Sequence, residues 1–104
     1  MKSLIALGIL LPSFAFANLC ERYVGDAEKW RALETVVMSQ SRTLDETCHS
    51  PRILDIEIQP SQVVVDGEFV KHWAVFFHYN EESCKFMVNR DEYTITSRRC
   101  FPTW

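Results

Sequence analysis

Basic side chains never gather in this sequence. Of its 11 lysines and arginines the only adjacent pair is Arg98-Arg99, against 14 aspartates and glutamates and a net charge of −3. A nucleic acid or an anionic membrane surface requires a concentrated basic patch, so neither is expected as a partner. No C-x-x-C spacing occurs, which removes the commonest zinc frameworks. No serine stands in a G-x-S-x-G or S-x-x-K context, the settings in which a serine nucleophile is activated. With three glycines and four prolines, and no internal repeat, there is no low-complexity linker either. The acidic pairs Asp45/Glu46, Glu81/Glu82 and Asp91/Glu92 lie in turn-like stretches, where neighbouring carboxylates diverge rather than converge on a substrate. No catalytic set emerges, no cofactor or metal is implied, and the chain is not expected to be an enzyme.

What is present begins with Met1 to Ala17, MKSLIALGILLPSFAFA: one basic residue, an apolar run broken at Pro12, then small residues at Ala15 and Ala17. This reads as a secretory signal peptide cleaved after Ala17, since the run falls short of the roughly 20 apolar residues of a spanning helix. Leu19 before Cys20 argues against a lipid-modified cysteine. The exported part, residues 18–104, is then a single small domain with one modest core. Loss of Lys2 leaves it at about −4. The expected location is the bacterial periplasm or the medium.

All four cysteines, Cys20, Cys48, Cys84 and Cys100, fall in the exported part, and an even number in a small secreted domain implies two disulfides. Cys20 with Cys48 and Cys84 with Cys100 is the expected pairing, because each pair brackets one local unit. Cys20 with Cys100 and Cys48 with Cys84 is the rival. Either closure is worth about 3 kcal/mol in the chain-entropy account.

Tyr23, Ala27, Trp30, Leu33 and Val37 recur every three or four residues and predict an amphipathic helix over Asp26 to Gln40, capped by Asp26. Its polar face mixes signs, which suits packing on a sheet better than lying on a membrane. Ser41 to Pro51 has a loop's composition. RILDIEI then alternates, with Leu54, Ile56 and Ile58 inward, and Pro60 is expected to end that strand. Asp66-Gly67 between apolar runs signals a hairpin. It opens the long run Phe69 to Tyr79, whose core face carries Phe69, Trp73, Val75, Phe77 and Tyr79 and whose other face carries Val70, His72, Ala74, Phe76 and His78. Strands over Cys84 to Asn89 and Tyr93 to Arg99 complete an α+β fold: one helix on a four- to five-stranded antiparallel meander. Trp30 and Trp73 are the expected centre of the helix–sheet interface.

His72 and His78 share a face, yet six residues of strand separate them by about 20 Å, too far to hold one ion. They are expected as partly exposed residues of the less buried sheet face. That face, with His72, Phe76 and His78, is one candidate surface for binding another protein. The C-terminal tail, with Phe101 and Trp104, is the other, tryptophan being common at interface centres. A metal- or small-ligand-binding protein, using those histidines or an interior cavity, is the alternative class.

Gln62-Val63-Val64-Val65-Asp66-Gly67, in a hairpin that follows a helix and a strand, resembles the Q-x-V-x-G hairpin of the cystatin protease inhibitors, which enters a cysteine-protease cleft. One extra residue precedes Gly67, and Pro102 and Trp104 are split by Thr103 where that family has a Pro-Trp loop. The resemblance covers about half the chain and implies a layout of helix, strand and hairpin and, at its furthest, protease inhibition. The function expected from the residues is an exported protein-binding module of inhibitor, immunity-factor or adaptor type, its partner and oligomeric state open.

Overall fold

The computed structural model describes residues 18–103, so the leader expected over residues 1–17 and the tail residue Trp104 lie outside the described residues. A single 3-10 turn, Glu21–Tyr23, precedes the main helix α1, Ala27–Ser39. Gly25 makes the break between them at φ +96°, and the Asp26 side chain accepts from the Lys29 N–H, satisfying one of the free donors of the first turn. Both ends fall where the sequence places them.

The stretch read as loop holds a short second helix, α2, Leu44–Cys48. Thr43 and Glu46 form a reciprocal capping box, the Thr43 hydroxyl accepting from the Glu46 N–H at 3.1 Å and the Glu46 carboxylate accepting from the Thr43 N–H at 3.1 Å. Polar composition hid a helix start.

Strands β1 (Ile53–Val65), β2 (Glu68–Tyr79), β3 (Glu82–Asn89) and β4 (Ile95–Pro102) pair antiparallel in sequence order. Pro60 does not end β1: the strand runs through it, with Pro60 opposite Trp73, because β1 is an edge strand and the missing N–H points away from the ladder. Leu54 is not inward. A bulge between Ile53 and Asp55 inserts it as an extra residue, turning it out to 61 % exposure and bringing Ile53 inward with Ile56 and Ile58. Phe69 is 72 % exposed rather than core, because neither β3 nor α1 reaches that end of β2. Farther on, β4 starts two residues later than expected. Tyr93 sits at φ +54°, in a turn where the Asn89 side chain accepts from the N–H groups of Asp91 and Glu92.

The α1 stripe of Ala32, Leu33, Val36 and Val37 packs over β2 and β3 against Val75, Phe77, Phe86 and Val88, with Ile56 and Ile58 from β1. The centre is therefore aliphatic and Phe-rich. Trp73 is buried but its ring is met by Arg90 at 4.1 Å and Lys29 at 5.7 Å, while Trp30 is only half-buried, so the tryptophan pair does not form the centre expected of it. Cys20–Cys48 ties the N-terminal turn to α2, and Cys84–Cys100 joins directly opposed residues of β3 and β4. The chain is thus a small α+β domain with the expected disulfides. No helix among the described residues is long and apolar enough to cross a membrane.

Candidate functional site

The four described side chains singled out for binding all derive from the sheet and share its far face, the one opposite α1. Phe76 and His78 stand two apart on β2 and stack with ring centroids 5.8 Å apart. Phe101 is reached through Ser83, which lies opposite both His78 and Phe101 in the ladders. His72 is on the same face but only 1 % exposed, a correction to its partly exposed placement. Its Nδ1 lies 3.0 Å from the Val70 carbonyl oxygen, an acceptor only, and therefore donates there, and its Nε2 lies 3.0 Å from the Thr96 hydroxyl on a bulge of β4. Both ring nitrogens are used inside, leaving none for a metal or a partner.

His78 has a different setting. Its Nε2 donates to the Glu57 carboxylate at 2.5 Å and its Nδ1 lies 2.7 Å from the Ser83 hydroxyl. A carboxylate, an imidazole and a serine in one row have the components of a nucleophilic relay. Ser83 is however 1 % exposed, so the hydroxyl offers solvent no attacking position, and the row ties β1, β2 and β3 together across the face. Glu82, Cys84 and Cys100 place one candidate metal-ligand atom each within 4.8 Å of one another, but the two sulfurs are joined and offer no thiolate.

A cluster of exposed apolar side chains lies elsewhere. β3 pairs with β2 only from His72 onward, whereas β1 and β2 continue to pair through Gln62↔Lys71, Val63↔Val70, Val64↔Phe69 and Val65↔Glu68. These pairs form a two-stranded arm that leaves the body of the sheet for about 13 Å at the usual rise per strand residue. Its turn is Asp66-Gly67 with φ of +51° and +81°, the two left-handed positions of a hairpin turn whose twist matches the strands. Val64 and Phe69, cross-strand neighbours, are 61 % and 72 % exposed, and Val65 is exposed beside them. These large apolar side chains stand on a projection with no element of the described chain over them.

Sequence reasoning found the turn and missed the surface. Alternation assigned Phe69 to a core face that ends before reaching it, a limit visible only from the shorter lengths of β3 and α1. Trp104, expected with Phe101 at a partner surface of the tail, lies outside the described residues. No family model matches this chain, and neither a curated protein nor a solved structure matches it.

Proposed function

We propose that this chain is a protein-binding module that works by inserting the tip of its β1–β2 arm into a groove on another protein. The observation that carries the reading is the arm itself, where Val64, Val65 and Phe69 are held out by a ribbon that no other strand supports. An isolated hairpin is marginal in water. Here two strands continue out of a four-stranded, disulfide-tied body, which presents the tip ready-shaped and lowers the ordering cost of binding. Two cross-linked pairs of cysteines suit an exported protein, and a rigid projection is compatible with an inhibitor, immunity-factor or adaptor role.

A photo-reactive residue at position 64 tests it, with the same probe at Leu54, an equally exposed apolar position on the body, as control. The expected result is a discrete adduct from position 64 alone. In the purified complex the double variant Val64→Asp/Phe69→Ser is expected to bind at least about tenfold more weakly, an interface hot spot being worth more than about 1.4 kcal/mol, with Tm unchanged. Equal labelling from both positions, or an adduct containing only a second copy of this chain, overturns the proposal.

Gln62 to Gly67 fall on the tip of that arm, which also supports the narrower reading of a hairpin that plugs a protease cleft. Titration of a papain-like cysteine protease with the intact protein is expected to show stoichiometric loss of activity if that reading holds, and unchanged turnover removes it.

A further inference from the structure

At the opposite end of the sheet from the arm, the face that α1 covers elsewhere lies open. A cleft of about 880 Å³ forms there, floored by Phe77, Tyr79 and Cys84 and walled by α2, its following loop and β4. Three arginines from separate parts of the chain line it: Arg42 before α2, Arg52 before β1, and Arg98 on β4. Among the described residues none of them has a carboxylate within ion-pair distance, although five such pairs occur elsewhere. Glu81 and Glu82 also line the cleft and likewise have no ion-pair partner among the described residues, so the site has its own acidic side chains at hand and its guanidinium groups do not take them. Arg98 lies over the Phe86 ring at 5.7 Å, a cation–π contact that restrains its stem. Thr47, a further lining residue from α2, is 2 % exposed and its hydroxyl has no hydrogen-bond partner in the described chain, an unsatisfied buried donor of a kind native proteins rarely leave.

The geometry points to a second binding site in this cleft, for a carboxylate carried on an apolar body. Guanidinium groups suit that chemistry because their paired N–H donors match the two oxygens of a carboxylate. The Tyr79 and Phe77 rings and the Cys84–Cys100 disulfide supply the apolar floor on which the rest of the molecule lies. The volume is within the range of sites that enclose a small molecule or a few residues of peptide. Whether the acid is free or ends a peptide chain, the recognising chemistry is the same, and the experiment separates the two. The inference does not rest on the arm, which lies at the other end of β2.

The test is titration calorimetry, with heteronuclear NMR on the full exported chain, using three probes: N-acetyl-Gly-Phe with a free carboxylate, the same dipeptide as its amide, and dodecanoate. The expected result is binding of an acid with shifts at Tyr79, Arg52 and Arg98, and at least about tenfold weaker binding of the amide, the loss that follows removal of a charge-assisted pair. Tighter binding of the dipeptide acid identifies a peptide terminus as the natural source, and tighter binding of dodecanoate a free amphiphilic acid. Arg52→Gln and Arg98→Gln, both exposed and so compatible with folding, are each expected to weaken the acid about tenfold, while Val64→Asp/Phe69→Ser leaves it unchanged. Acid and amide binding alike, or no shift at the cleft with any probe, overturns the site.

Discussion

Tyr23 shows how much one side chain can fix. It is buried under α1, and its hydroxyl accepts from the Ile58 N–H at 2.8 Å and donates to the Ile56 carbonyl at 3.2 Å, occupying main-chain groups on the outer edge of β1. The neighbouring Arg22 adds a second donor to the Ile56 carbonyl and an ion pair with Asp55, and that carboxylate holds the guanidinium pKa above its ordinary value. Burial raises the phenol above its ordinary pKa of 10, opposed by the hydrogen bond from Ile58. The folded state therefore keeps the Tyr23 proton at a pH where the unfolded chain has released it. The linked stability is fully present below pH 10 and falls as pH rises through 10 toward the folded-state value. Denaturant midpoints measured from pH 7 to 11 are expected to drop in the alkaline limb. Tyr23→Phe should flatten that part of the drop while costing about 1–3 kcal/mol at pH 7, because it orphans the buried Ile58 N–H.

Among the elements, the arm depends on its turn. Gly67 at φ +81° has open space where a Cβ would stand, so Gly67→Ala meets no clash and its cost is that of a left-handed backbone alone, about 1 kcal/mol. The expected outcome is faster hydrogen exchange confined to Val63–Val65 and Phe69–Val70, with the amides of β3 unaffected. That turn was legible in the sequence because Asp-Gly between apolar runs has a local mechanism. So was α1, whose cap and stripe lie within a few residues of each other. The bulge at Leu54 and the passage of β1 through Pro60 were not, since each depends on which strand stands at the sheet edge. The Glu57–His78–Ser83 row was hidden for the same reason: its members are joined by register across three strands. The arginine cleft was less legible still, its three cations being far apart in sequence and adjacent only after folding. In contrast, α2 could have been found. Thr43 followed three residues later by Glu46 is a capping-box pattern that the polar composition of the stretch obscured.

For the whole molecule, strand order equals sequence order, so each ladder closes over a short turn, and the N-terminal part is joined to the sheet by the docking of α1, the Tyr23 and Arg22 bonds to β1 and the Arg90–Glu28 pair, with the Cys20–Cys48 link tying it to α2. The two disulfides differ in access. Cys20 and Cys48 are buried at the base of the helices, whereas Cys100 lies exposed on the outermost strand. Stepwise reduction with alkylation and mass mapping is expected to label Cys84 and Cys100 first, the fold surviving with stability lowered by about 3 kcal/mol. Simultaneous labelling of all four cysteines would contradict that order.

The edges of the sheet are unequal as well. Along its body β1 is stopped by the Tyr23 hydroxyl and by a proline, while no described element pairs with the outer side of β4. A stack that grows without limit needs two receptive borders on every copy. With one border shut, lateral joining of these sheets closes at a pair and cannot propagate into a filament.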